Sequence, residues 1–368
     1  MSKKCIFLII SIFCFNSLQA DEFQKFLEET RQKYKLPSLG GGATLHGKIV
    51  SVQVAGVRKF GSKVKVTVND KYHIGSCTKS MTATIAGILV DQKKIKWEST
   101  IYEIFPEYRR ILHKGLKDVT LTQLLSHTGG LPSLGEHHKQ IWLDLYMDRT
   151  NKSAKKQRTN MIKKVLPLAP VNEPGTKFLY SNCGVSIAGM MLEKVSKKSW
   201  EELMGIYIAK PLDIQSLGFG SAPKSQKVDQ PFPHIQQGGK TIHIDPRIFP
   251  DNPAAIAPAG TAHLSLIDFA KYTTIYSMKK KTLSPESFST ILTPILEDYA
   301  LGWAITKRFW GGKVITHTGS NTMNYAVMWV APEKEFSVVA VSNCGSQDAA
   351  KAIDEVCFKL IQMHLLKK

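Results

Sequence analysis

Beyond residue 20 the sequence has no apolar run long enough to cross a bilayer, which takes about 20 consecutive apolar residues. Cysteine is scarce: there are six in 368 residues and no C-x-x-C pair, so a cysteine-ligated metal centre is not indicated. The histidines are scattered, and His137-His138 are adjacent, a spacing that does not put both on one helix face. No metal or cofactor is expected. Acidic residues are in short supply, 30 against 49 Lys and Arg, for a formal charge of +19. The lysines fall in separate clusters (Lys93, Lys94 and Lys96; Lys279 to Lys281) without the interleaved aromatics that stack bases. They are read as solvated faces, and nucleic acid is not an expected partner. Internal repeats and low-complexity tracts are also lacking.

What is present begins with residues 1–20. Lys3 and Lys4 precede an eleven-residue apolar run, Cys5 to Phe15, then Asn16-Ser17-Leu18-Gln19-Ala20. This is read as a secretory signal cut near Ala20, giving an exported, periplasmic or secreted chain. Cys77, Cys183, Cys344 and Cys357 then remain. They are read as buried thiols, with a Cys77–Cys183 bridge left open.

The mature length suits roughly two domains. Residues 22–35 have helical spacing. Ala43 to Leu45 and Ile49 to Val57 alternate around His46-Gly47-Lys48 and predict a hairpin, followed by a third short strand at Val64 to Val68. From Ser76 to about residue 295 helical patterns dominate, for example Thr122 to Ser126, Gly184 to Ser196 and Leu266 to Tyr276. Strand patterns return at Tyr299 to Thr306, Val314 to Thr316, Tyr325 to Val330 and Phe336 to Ser342, before an amphipathic helix over 347–365. The expected class is α/β (α+β). Residues 21–75 and 298–368 form one discontinuous antiparallel sheet domain, residues 76–297 a mainly helical domain, and the active site lies in the cleft between them.

Ser-x-x-Lys occurs five times, from Ser62, Ser76, Ser153, Ser221 and Ser277. Only Ser76 sits where a strand-like segment passes through Gly75 into a long amphipathic helix, with Lys79 on the same face. A serine hydroxyl needs a base beside it, and a lysine serves if desolvation and the helix dipole lower its pKa. Taken alone, Ser76 could equally be a helix cap and Lys79 a solvated side chain. The second element is Tyr180-Ser181-Asn182, the one Tyr-x-Asn in the chain. A tyrosine beside a lysine loses its proton more readily and can relay it, and an asparagine offers a substrate amide both a donor and an acceptor. The third, His317-Thr318-Gly319, closes a strand whose edge could bind an extended substrate. Its other copy, His127-Thr128-Gly129, reads as a turn.

In this order, and with Leu124 to Leu131, Pro174 to Asn182 and Ala257-Pro258-Ala259-Gly260 between them, the motifs resemble the β-lactamase-related serine hydrolases: class C β-lactamases, low-molecular-weight penicillin-binding proteins and esterases of that fold. The sister pattern is S-x-x-K with S-D-N and K-T-G. The resemblance covers nearly the whole mature chain. It implies a β-lactamase/transpeptidase-like fold, Ser76 as acylated nucleophile, Lys79 as its partner and Tyr180 as proton relay. It also implies that Asn182 holds a substrate amide, that His317, Thr318 and Gly319 line the substrate, and that the backbone N–H groups of Ser76 and Ser320 form the oxyanion hole.

The departure is His317, where β-lactamases and peptidases of this type usually have a lysine that helps to hold the substrate carboxylate. A histidine has a reference pKa of about 6.5, so binding of a carboxylate is expected to weaken as pH rises between about 5 and 8. The expected function is therefore an exported serine acyl-hydrolase acting on an ester, an amide or a D-amino-acid peptide, small or cell-wall derived. A true class C-type β-lactamase or D,D-carboxypeptidase is the enzymatic alternative. A penicillin or peptidoglycan sensor that acylates without turnover is the alternative of another class.

Overall fold

The computed structural model describes residues 19–148, 153–224, 227–249 and 251–366. The expected signal segment lies, but for its last two residues, outside the described residues. No described helix is long and apolar enough to cross a membrane.

The first helix covers residues 19–33 and buries Phe23, Leu27 and Thr30, which recur at helical spacing. Strands β1 (Ser38–Leu45) and β2 (Lys48–Gly56) form the expected hairpin. Its two turn residues, His46 and Gly47, both have positive φ, as a tight hairpin with right-handed strand twist requires. Strand β3 (Lys71–His73) then leads into the 3-10 turn Gly75–Cys77 and the Thr78–Asp91 helix. Later come β4 (Gly218–Phe219), β5 (His234–Gln237), β6 (Lys240–His243) and β7 (Ala262–Ser265). The final strands are β8 (Ala304–Arg308), β9 (Gly312–Ser320), β10 (Tyr325–Ala331) and β11 (Phe336–Ser342).

Six strands make one antiparallel sheet in the order β2-β1-β11-β10-β9-β8, so β1 from the N-terminal part pairs directly with β11 from the C-terminal part. Alternation sorts its side chains into two cores. Val338 and Ala340 join Phe23, Leu27, Ile353, Val356 and Leu360 under the 19–33 and Gln347–Ile361 helices. Val339 and Val341 face the other way, into the larger core with Phe269 and Tyr272 of the Leu266–Ser277 helix. That helix, assigned by its pattern to the helical segment, thus lies against β1, β2 and β11 of the main sheet.

Two local expectations are corrected, and one segment gains strands. Val64 to Val68 is not a strand: Lys65 makes a single bridge to Val57, flanked by Arg58 N–H to Val64 O and Val66 N–H to Gly56 O. Pairing stops because the chain turns at once, with the Asp70 carboxylate accepting from the Thr67 amide and hydroxyl. Strand β8 starts at Ala304 rather than Tyr299, because Gly302 (φ +72°) turns against the Lys79 backbone; a β-carbon there would stand 2.7 Å from Lys79 O. The mainly helical middle segment also holds short strands that its pattern did not predict. It contributes β7, which pairs with β3, and β4, which pairs with β7, in a second three-stranded sheet, and also the β5–β6 hairpin.

Candidate active site

Ser76 lies in the 3-10 turn that enters the Thr78–Asp91 helix. The turn is locked from inside: Thr78 Oγ1 donates to Gly75 O at 2.7 Å and accepts from Ala262 N–H at 3.2 Å. One turn later the Lys79 side chain is fully buried. Its Nζ is 3.0 Å from Ser76 Oγ and 2.7 Å from both Asn182 Oδ1 and Ala259 O. Burial among these groups pushes its pKa down to about 7, because desolvation penalises the ammonium.

The Asn182–Ser196 helix delivers the second motif. It starts two residues earlier than its pattern suggests, capped by Ser181, whose hydroxyl accepts from Gly184 N–H. That cap fixes Asn182 on Lys79 and leaves Tyr180 just outside the helix. The Tyr180 hydroxyl donates to Ser76 Oγ at 2.8 Å, and Lys79 Nζ stands 4.7 Å from the centre of its ring. Burial raises the Tyr180 pKa, so the phenol keeps its proton rather than losing it more readily as the sequence suggested.

Strand β9 brings the third motif to the turn. Gly319 abuts Ile74 and Ser76, so the Ser320 backbone lies beside Gly75 and Ser76. Thr318 is exposed and His317 is buried. The His317 ring is held inside: Nδ1 is 2.6 Å from Thr318 O and must donate to it, so Nε2 accepts from the Tyr299 hydroxyl at 3.0 Å. Desolvation, with Lys79 nearby, pushes its pKa down to about 3. The expectation that His317 titrates between pH 5 and 8, and that its hold on a substrate carboxylate weakens over that range, is thus corrected. The imidazole is uncharged there and is bonded to protein on both nitrogens.

Residues not selected from the sequence complete the site. His127, in the motif copy read as a turn, does turn (φ +61°), but its buried ring also lies 4.3 Å from that of Tyr180. Its Nδ1 accepts from Ser181 N–H at 3.1 Å, which fixes the loop carrying Tyr180. Behind the Ser76 turn, His73 Nδ1 accepts from Gly75 N–H, and its Nε2 is 2.7 Å from Asp251 Oδ2. The other Asp251 oxygen accepts from Asn321 Nδ2 at 2.8 Å, next to Ser320. The Asp251 pKa is lowered: His73 and the hydrogen bonds it accepts outweigh a large opposing desolvation. Cys77 and Cys183 are free and buried, with their thiols on His317 O and Pro132 O, so they do not bridge.

The Beta-lactamase family model matches residues 23–356. The chain belongs to that family. As a member it carries a site of the serine-hydrolase type. It is 23% identical over 351 residues to Protein flp of Staphylococcus aureus (strain N315), an alignment that covers 92% of this chain and 66% of that protein. The chain therefore spans just under two thirds of that relative's length. Among solved structures it is similar to the octameric penicillin-binding protein homologue from Pyrococcus abyssi, at TM-score 0.75 and 25% identity, covering 94% of this chain and 79% of that one. It shares its fold with EstCE1, a hydrolase with promiscuous acyltransferase activity, at TM-score 0.76 and 16% identity, covering 94% of this chain and 100% of that one.

Proposed function

We propose that the chain is an exported serine acyl-hydrolase that works through an acyl-enzyme on Ser76. The arrangement of three groups around Lys79 Nζ carries this reading. Asn182 Oδ1 and Ala259 O can only accept hydrogen bonds. A neutral amine has two N–H groups and one lone pair; with both N–H groups engaged there, the lone pair faces the hydroxyl of Ser76. A pKa of about 7 keeps a useful fraction of the amine neutral near neutral pH.

In the acylation step Ser76 Oγ bonds to the substrate carbonyl carbon while its proton passes to Lys79 Nζ. The carbonyl oxygen becomes an oxyanion between the amides of Ser76 and Ser320. When the carbon–leaving-group bond breaks, the leaving atom takes the Tyr180 phenol proton, and Lys79 returns its proton to Tyr180. A water then attacks the ester on Ser76. Its proton goes to the amine–phenol pair, and the Ser76 hydroxyl is re-formed.

Export is supported by the basic start and apolar run at residues 3–15. A neutral His317 favours an ester or amide over a carboxylate-bearing β-lactam or D,D-peptide. Parallel turnover assays with p-nitrophenyl acetate and a chromogenic β-lactam test this. Ester turnover lost in Ser76→Ala supports it. Efficient β-lactam turnover with little esterase activity argues for the β-lactamase alternative, and acylation without turnover for the sensor.

A further inference from the structure

One flank of Ser76 opens into a cleft of about 680 Å³. Its apolar walls include the Lys139–Met147 helix (Trp142, Tyr146), the β5–β6 hairpin with the residues after it (Ile242, Phe249), the 252–260 segment (Ile256) and the loop after β9 (Met323). The polar lining beside these is amide and hydroxyl, including Asn182 and Ser320. In a chain where 21% of residues are charged, no Asp, Glu, Lys, Arg or His among the described residues lines this cleft. Acidic and basic groups do occur on the same stretch of chain. Asp245 and Arg247 pair with each other, and the His243 ring is set edge-on to Phe232. Meanwhile Phe249 is 58% exposed and Ile242 41% exposed. Apolar side chains open to solvent beside a nucleophile are surface for a ligand to cover.

Resting on the reading of Ser76 as the nucleophile, we infer that the acyl group transferred to it is uncharged and apolar. The cleft takes an aliphatic chain or an aromatic side chain, and the amides of its polar lining hold any amide within it. A carboxylate or ammonium on the acyl group has no counter-charge among the described lining residues and would lose hydration without compensation. Specificity on this flank is thus set by Trp142, Ile242 and Phe249.

Three p-nitrophenyl esters of equal chain length test this: the hexanoate, the mono-adipate and the 6-aminohexanoate. Their remote charges leave the ester carbonyl chemically similar, and hydroxide hydrolysis of each gives the baseline. The expected result is a kcat/KM for the hexanoate about 100-fold above either charged ester. N-acetyl-phenylalanine p-nitrophenyl ester, against the hexanoate, tells an aromatic amino-acid acyl group from an aliphatic one, and turnover of either supports the inference. In Phe249→Ala, a change at an exposed position, the hexanoate is expected to lose about 10-fold relative to the acetate. In Ile242→Lys the adipate is expected to gain on the hexanoate. Charged esters within threefold of the hexanoate, or ratios unmoved in both variants, overturn the inference. Fluorophosphonate labelling and acetate turnover report on Ser76 separately. If both fail, the nucleophile reading is at fault; if both succeed while the adipate matches the hexanoate, only the apolar-acyl inference falls.

Discussion

Gly75 and Gly319 are in backbone contact. A β-carbon on Gly319 would stand 1.9 Å from Ile74 O and 2.8 Å from Ser76 N, and one on Gly75 would stand 2.4 Å from Ser320 N. This approach brings the backbone at Ser76 and the backbone at Ser320 together, as the proposed oxyanion hole requires. Gly319→Ala must push the strand away. Its kcat on p-nitrophenyl acetate is expected to fall about 10²–10³-fold, the usual cost of one oxyanion donor. Circular dichroism should show the fold retained. Full activity in the variant would mean that Ser320 is not part of the site.

The pH profile follows from Lys79. An ammonium has no lone pair, so the base is available only once Lys79 has lost its proton, and its pKa is pushed down to about 7. On an uncharged ester, kcat/KM should rise with pH through about 7 and then level off. Burial raises the Tyr180 pKa, so no descending limb is expected below pH 10. Lys79→Arg stays protonated throughout. It should lose the limb and about 10²–10⁴ in rate.

His317 should not titrate across the same range. Its pKa lies near 3, so the ring stays neutral from pH 5 to 8. The imidazole resonances of His317, assigned by comparison with His317→Gln, should keep constant shifts over that interval. The Lys79 limb should keep its midpoint in the variant. A histidine resonance moving near pH 6.5 and lost in His317→Gln would restore the charged-histidine expectation.

Asp251 is a positioning residue. Its carboxylate joins His73, which holds the Gly75 amide, to Asn321, which follows Ser320. In Asp251→Asn the two arms around the oxyanion position loosen. The expected effect is a kcat lower by about 10- to 100-fold with KM nearly unchanged. Loss of stability with an unaltered kcat per folded molecule would make the contact merely structural.

The parts of this fold that rest on local pattern were legible. The β1–β2 hairpin and the strands from residue 314 onward alternate clearly, and Phe336–Ser342 matches its expected bounds. Ser76, Lys79, Tyr180 and Asn182 could be selected because each sits at the start of a helix or just before one. What was missed depends on distant partners. His317 lies between Thr316 and Thr318, so alternation gave no sign of which face is buried, and Tyr299 had no visible link to it. Asp251 meets His73 only because β7, which follows it in the chain, pairs with β3. The β5–β6 hairpin does carry a signal, Gly238-Gly239, both at positive φ, but it lies within a stretch whose prevailing pattern is helical.

The central claim is that Ser76 is acylated with Lys79 as its base, and intact-mass analysis tests it most directly. Wild-type protein mixed with a fluorophosphonate at pH 8 should gain one adduct mass, mapped to the peptide containing Ser76. Labelling should slow as pH falls through 7, and Ser76→Ala should gain nothing. An adduct on another residue, or equal labelling of Ser76→Ala, would contradict the account.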